Sequence, residues 1–288
     1  MSWLDALILG IVQGLAEYLP ISSSGHLEIC RSLLGLKLSG ADSLQFDVVL
    51  HVATVLSTIV VLWHEFRPLC VSFFTFKKDK NTSYVWKILL SCIPVGIVGV
   101  CFKDQVEQFF GVGTDGQSNL PLVGICLCVT AALLCVAYFT RTRKDDARPV
   151  PSATATAKAV SKGRDITWAD AFIIGCAQAV AVLPGLSRSG TTIATGITLG
   201  DNREKVARFS FFMVIIPILG EMLLDIKKFI GGEDPSEAIG FLPMAVGFIA
   251  AFLVGCAACR WMLEIVKKGK LVWFAVYCVL MGVICILW

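Results

Sequence analysis

Two polar stretches interrupt an otherwise oily chain. The first reads Gln13-Gly14-Leu15-Ala16-Glu17-Tyr18-Leu19-Pro20-Ile21-Ser22-Ser23-Ser24-Gly25-His26-Leu27, and the second runs Pro184-Gly185-Leu186-Ser187-Arg188-Ser189-Gly190-Thr191-Thr192. Gln13 and Glu17 stand four residues apart and so share one helix face. A lone carboxylate can hold a cation. Mg²⁺ in particular uses one or two carboxylates and takes its other ligands from water and substrate phosphates. Ser22, Ser23, Ser24, Gly25 and His26 would open a short helix whose free N–H groups and dipole favour an anion. Their hydroxyls suit a phosphate, His26 exchanges protons near neutral pH, and a serine beside a histidine is a nucleophile-and-base pair. In the second stretch Ser187 and Ser189 flank Arg188, whose fixed fork of donors matches phosphate oxygens. Plainer readings stand beside these. Gln13 and Glu17 can form a stripe that satisfies a neighbouring segment, and the serines can act as helix caps with His26 bonded to backbone. An arginine in apolar surroundings still needs an anion, either Glu17 or a ligand.

The elements that hold these residues follow from composition. Of 288 residues, 56% are hydrophobic and only 16% charged, against about a quarter charged in soluble domains; mean hydropathy is +0.76. This predicts an integral membrane protein, all-α, with the bilayer as its surroundings. Six segments are long and apolar enough to span it: Phe46–Trp63, Val85–Phe102, Pro121–Phe139, Val206–Leu224, Ala238–Cys259 and Leu271–Trp288. The first segment carries Asp5, Gln13 and Glu17, which argues against a cleaved signal peptide. The net charge of +3 implies no nucleic acid partner. Most of the 12 cysteines lie in apolar runs, where a thiol behaves as a small hydrophobe. The Cys256-Ala-Ala-Cys259 spacing has no second pair and is not read as a metal site.

The chain also repeats itself. Shifting it by 165 positions aligns Trp3 with Trp168, Asp5 with Asp170, Gly10 with Gly175, Gln13 with Gln178, Ser22 with Ser187 and Gly25 with Gly190, ten identities in 23 positions in all. Two structural repeats follow. Each copy begins with a hydroxyl residue three positions before an aspartate, a helix-starting pattern, and breaks at Pro20 or at Pro184-Gly185. Proline cannot continue the helix. Each copy is therefore read as a re-entrant hairpin, 3–34 and 168–199, of two short helices around a polar turn, which is allowed at membrane depth only where protein or water covers it. The organisation is a first repeat over 1–140, a linker over 141–165 and a second repeat over 166–288. Lys and Arg crowd the loops Glu65–Tyr84, Arg141–Thr167 and Arg260–Lys270, whereas Lys103–Leu120 holds only Lys103. By the positive-inside bias the first three are cytoplasmic. The hairpins then dip in from opposite faces as an inverted repeat, and Pro149–Lys162 is a flexible linker tolerant of change.

Other polar residues give weaker signals. Asp47 and His51 are four apart and fit either the lining of the same cavity or a structural hydrogen-bond pair. His64 falls at a boundary, Glu221 and Asp225 near the end of a segment, and Arg203 and Arg208 fit the positive-inside bias.

Gln-Gly-x-x-Glu-x-x-Pro-Ile-Ser-Ser-Ser-Gly-His-Leu, taken with Pro-Gly-x-Ser-Arg-Ser-Gly-x-Thr-Ile, Phe46–His51 and Arg208–Phe211, resembles the undecaprenyl pyrophosphate phosphatases, the bacitracin-resistance family. The resemblance covers nearly the whole chain. It implies a bacterial inner-membrane enzyme that hydrolyses undecaprenyl pyrophosphate to undecaprenyl phosphate and inorganic phosphate, recycling the lipid carrier of cell-wall synthesis. It also implies a need for Mg²⁺ or Ca²⁺ and a site open to the outer face. By motif position Glu17 resembles the family's catalytic or metal-linked glutamate, Ser23 its candidate nucleophile, His26 its proton-transfer histidine and Arg188 its phosphate-binding arginine. Gln13, Ser22, Ser24, Gly25, Ser187 and Ser189 fall at the surrounding substrate positions. Gln13 replaces an acidic residue of the family pattern, which leaves Glu17 and the pyrophosphate itself to hold a metal.

Two competing readings apply. Ser24-Gly25-His26 and Ser187-Arg188 echo the lipid phosphatases related to vanadium haloperoxidases, but no Lys-x6-Arg-Pro precedes Ser24 and no histidine follows Arg188 at a suitable distance. Inverted repeats with broken helices are also a transporter architecture, so a flippase for undecaprenyl phosphate is the alternative function. A homodimer is left open.

Overall fold

The computed structural model describes residues 1–36, 38, 40–102, 105, 119–146, 163–230 and 239–288. Among them are eleven helices and no strand. In chain order these are α1 (Trp3–Ala16), α2 (Ser23–Leu33), α3 (Gly40–Val61), α4 (Trp63–Phe74), α5 (Lys80–Cys101), α6 (Leu120–Asp146), α7 (Trp168–Val180), α8 (Arg188–Leu199), α9 (Arg203–Ile230), α10 (Phe241–Lys268) and α11 (Val272–Leu287). Asp42–Val61 of α3, all of α5, Leu120–Thr140 of α6 and all of α10 are long and apolar enough to cross a membrane. The protein is a helical membrane protein. α9, over the expected span Val206–Leu224, is 28 residues long and begins and ends with charge. α11 is apolar but only 16 residues long.

The two helix–turn–helix units form where the repeat predicts them, and local chemistry explains their ends. Ser2 Oγ accepts from Asp5 N at 3.1 Å while Asp5 Oδ2 accepts from Ser2 N at 2.8 Å. Thr167 and Asp170 repeat that reciprocal pair at 3.2 and 2.9 Å, so both copies start on a capping box. α1 stops at Ala16, four residues before Pro20, and α7 stops at Val180, four before Pro184.

Two expectations need correction. The loop placed over Glu65–Tyr84 is mostly helix: α4 runs to Phe74 through Pro68, and α5 begins at Lys80, capped by Asp79 Oδ1 accepting from Thr82 N at 2.9 Å. The linker placed at 141–165 is helical to Asp146, where α6 ends. Its far end is pinned to the α8–α9 turn, where Arg164 O accepts from Asn202 N at 3.0 Å, and to α7, where the Arg164 guanidinium bonds Asp170 Oδ1 at 2.6 Å. Pro149–Lys162 lies outside the described residues, as does most of Lys103–Leu120.

The halves exchange their hairpin helices. α1 of the first repeat packs along α10 of the second, and α7 of the second along α5 of the first. Small residues at equivalent places make both approaches close. A Cβ on Gly10 would stand 2.5 Å from Gly247 O, and one on Gly175 would stand 2.3 Å from Ser91 O. Around these contacts lie Leu9, Phe46, Leu50 and Ala251 in one cluster and Leu127, Ile193, Phe209 and Met213 in another, all fully buried. The outward faces of α5, α10 and α11 carry Ile97, Val100, Leu253 and Leu280 exposed, an apolar exterior that needs lipid to cover it.

Gly10→Val should therefore destabilise the detergent-purified protein by about 1–3 kcal/mol or more. Gly96→Val, at a helix face with nothing within 4 Å of a new Cβ, should leave the unfolding midpoint in place. Equal midpoints for the two variants in a thermal scan would show that the α1–α10 approach is looser than described.

Candidate active site

The turn between α1 and α2 meets the turn between α7 and α8. Ser189 Oγ donates to Leu19 O at 3.2 Å, and a Cβ on Gly25 would sit 3.2 Å from Gly185 Cα, so the two backbones touch. Each turn is also anchored to a further helix. Ser187 N donates to Thr130 Oγ1 on α6 at 3.1 Å, and Cys278 Sγ on α11 lies 3.5 Å from Pro20 O.

At this junction Glu17 is the hub. Its Oε2 accepts from Gln13 Nε2 at 3.0 Å and from Ser23 Oγ at 2.7 Å. Its Oε1 lies 3.7 Å from Arg188 Nη2 of the other hairpin. The Glu17 side chain is 8% exposed and that of Arg188 20%. A pair so placed loses hydration on both partners, and each makes the other's burial tolerable. The expected grouping of Gln13, Glu17, Ser23 and Arg188 is thus a single contact cluster.

The remaining sequence candidates hold the turns. Ser22 caps α2, its Oγ accepting from Gly25 N at 3.4 Å, at a backbone φ of 70° that side chains rarely adopt. Ser187 caps α8 in the same way, accepting from Gly190 N at 3.0 Å. Ser24 is exposed, its Oγ 3.4 Å from Ser22 Oγ. His26 takes no part in the Glu17 cluster. Its Nδ1 lies 2.8 Å from Ser22 O, an atom that only accepts, so Nδ1 carries the proton and Nε2 accepts from Tyr277 OH at 2.7 Å. The two rings stack at 5.5 Å.

Two further residues belong here. His51 on α3 places Nε2 3.4 Å from Arg188 Nη2 and 3.9 Å from Glu17 Oε2; its four-residue spacing from Asp47 was the available signal. Tyr18, buried, donates to Thr54 O at 2.6 Å and lies 2.5 Å from Ser57 Oγ and 2.8 Å from Thr58 Oγ1. It knots the end of α1 to α3, and nothing in its sequence surroundings marks it. Beside Glu17 and Tyr18 lies a small cavity of about 20 Å³, room for a water molecule, lined by Thr54, Thr58, Ser189, Ser210, Phe211 and Ile218.

The donor set fits a hard divalent cation held largely by its substrate. Glu17 supplies carboxylate oxygen, and Gln13 Oε1 is buried without a hydrogen-bond partner. Among the described residues no three His, Cys, Asp or Glu side chains form a cage, so phosphate and water oxygens would complete the coordination.

A carboxylate bonded to a serine hydroxyl, with an arginine of another element beside the carboxylate, is suited to phosphoryl chemistry. The comparisons with known proteins give the chain a family. The model of the family described as bacitracin resistance protein BacA matches residues 6–284. The chain belongs to this family. It is 53% identical over 286 residues to a Parabacteroides distasonis protein, covering 99% of this chain and 98% of that one. It is 52% identical over 286 residues to one from Bacteroides fragilis, covering 99% and 98%, and 36% identical over 283 residues to one from Oceanobacillus iheyensis, covering 96% and 93%. Each of these relatives is named undecaprenyl-diphosphatase. In this BacA-family chain the motif glutamate, serine and arginine are the residues that meet at the hairpin junction.

Tyr18→Phe removes the hydroxyl from three buried partners and should cost about 1–3 kcal/mol. A lowered unfolding midpoint with unchanged expression is the expected readout. A midpoint equal to that of the native protein would show that the knot on α3 does not contribute to stability.

Proposed function

We propose that this protein hydrolyses undecaprenyl pyrophosphate to undecaprenyl phosphate and inorganic phosphate. The Ser23 Oγ–Glu17 hydrogen bond at 2.7 Å, facing Arg188 across the hairpin junction, carries the reading, and the names of the relatives agree with it. Arg188 draws the diphosphate in, exchanging its contact with Glu17 for phosphate oxygens. Ser23 Oγ attacks the terminal phosphorus as its proton passes to Glu17. The new Oγ–P bond forms as the bridging P–O bond breaks, and undecaprenyl phosphate leaves. Glu17 passes that proton to the departing undecaprenyl phosphate, then takes one from the water that attacks the phosphoserine and returns it to Ser23 Oγ as the Oγ–P bond breaks, releasing inorganic phosphate. Glu17 and Gln13 Oε1 would hold Mg²⁺ or Ca²⁺ together with substrate oxygens, and a cation bound there would offset diphosphate charge and polarise a phosphoryl oxygen. Ser22, Ser24, Gly25, Ser187 and Ser189 shape the turns around the phosphates, and His26 keeps the first turn fixed to α11. This activity would recycle the lipid carrier for peptidoglycan synthesis and give resistance to bacitracin.

The same reading places six spans and two re-entrant hairpins, the latter inverted, in the bacterial inner membrane with the site opening outward. The exchange of α1 and α7 between halves supports two repeats, and the loop charges support the orientation. With cysteines placed singly at exposed Asn119 and Lys78 in a thiol-free background, an impermeant reagent added to intact cells should label 119 and spare 78. The reverse pattern overturns the orientation.

Exchanged repeats also favour a second reading, movement of undecaprenyl phosphate across the bilayer. Detergent separates the two, because transport needs two sides and hydrolysis does not. The purified protein should release phosphate from undecaprenyl pyrophosphate with a divalent cation present, stop on chelation, and lose about 10²–10⁴ in turnover in Glu17→Ala and in Ser23→Ala. No release under any metal condition, together with relocation of undecaprenyl phosphate in liposomes, would leave the transporter. Full activity in Ser23→Ala would move the attack to another oxygen.

A further inference from the structure

His51 reaches the junction from α3, outside both hairpins. Its Nδ1 lies 2.7 Å from Asp47 O. A carbonyl oxygen only accepts, so Nδ1 carries the proton, and Nε2, which meets a guanidinium that only donates, presents its lone pair. That lone pair faces Arg188 Nη2 at 3.4 Å. The turn that bears it is held from behind, because the Asp47 carboxylate bonds Arg31 of α2, whose side chain is 8% exposed and whose Nη1 donates to Glu28 Oε1 at 3.0 Å. A continuous set of contacts thus leads from α2 through α3 to the guanidinium.

We infer that His51 is a positioning residue for Arg188: its Nε2 accepts one N–H of the guanidinium and turns the other donors toward an incoming diphosphate. This rests on the reading that Arg188 receives the diphosphate. The choice of side chain has a physical reason. At 3.7 Å the Glu17 contact is an ion pair beyond hydrogen-bond length, so it attracts Arg188 without directing a particular N–H. A second carboxylate in place of His51 would direct it but would cancel the positive charge that the anion needs. A neutral acceptor directs without cancelling. Holding the fork in its bound orientation also removes ordering cost from the binding step.

The test is binding of inorganic pyrophosphate to the detergent-purified full chain, measured by calorimetry, with release of phosphate from undecaprenyl pyrophosphate followed in parallel. His51→Leu removes the acceptor, and His51→Asn keeps a polar group only near the Nδ1 position; each should weaken binding about tenfold, as expected for losing a hydrogen bond to a charged group. His51→Gln carries an amide oxygen to roughly the Nε2 position and should recover binding to within about threefold of native. In an Arg188→Ala background, His51→Leu should change the remaining affinity by less than about twofold, since interacting residues are not additive. A role confined to folding would lower the unfolding midpoint and would not distinguish Gln from Asn. The inference fails if His51→Leu binds like native, if His51→Gln binds as weakly as His51→Leu, or if the loss persists without Arg188. Native protein that releases no phosphate while the binding pattern holds would sink the phosphatase reading alone. Normal release with no effect of His51→Leu would sink this inference alone.

Discussion

Glu17 and Arg188 sit on different hairpins, and each is nearly removed from water. Neither charge is tolerable alone in such surroundings: a single buried ion costs several kcal/mol even after relaxation, and an opposite charge offsets that only where the geometry brings them together. The two turns must therefore meet. The packing that makes them meet is close, with Gly25 against Gly185, Ser189 bonded to Leu19 O, and Ser187 and Pro20 each fastened to a further helix. An anion that draws Arg188 from Glu17 keeps the guanidinium partnered and leaves the carboxylate in need of another positive charge.

Exchange of helices between the repeats places the hairpins. Were α1 to pack only within its own half, the position of Glu17 relative to Arg188 would depend on how two separate bodies happened to dock. With α1 on α10 and α7 on α5, each hairpin is part of the other half's core. Gly10 and Gly175, equivalent in the repeat, make the same close approach on exchanged partners. The tolerance at the junction is then set by rigid helix packing, which resists small displacements and holds side chains to fractions of an ångström.

Much of this was readable before any coordinates. The capping pairs at Ser2–Asp5 and Thr167–Asp170, the proline breaks and the glycine spacing are local chemistry, and local chemistry is written in contiguous residues. Glu17, Ser23 and Arg188 stood out because polar groups are expensive in apolar surroundings. α4 was missed because Glu65, Arg67 and Pro68 within a short run read as loop, whereas the helix runs on through the proline at its middle. His51 was undervalued for another reason. Spacing assigns a residue to a helix face, but which neighbour that face meets is a tertiary fact, here 137 residues away at Arg188. The partner of His26 is farther still, 251 residues away at Tyr277, so serine–histidine proximity in sequence suggested a pair that the helix geometry divides between two environments.

The two turns solve one problem by different backbone means, and the difference falls where the chemistry does. In the second hairpin the left-handed position is Gly185, at φ 88°, which glycine adopts at no steric cost. In the first it is Ser22, at φ 70°, where a side chain costs on the order of 1–3 kcal/mol. Glycine at 22 would relieve that strain. It would also remove the hydroxyl that accepts from Gly25 N, a cap contributing about 1 kcal/mol, and would free the chain on the residue before Ser23. Arg188 reaches its partners on a long side chain that adjusts itself. Ser23 has one rotatable bond with which to aim Oγ at Glu17, so its backbone must already be correct. Strain is kept at the turn where a short side chain must point in one direction and absent from the turn where a long one need not.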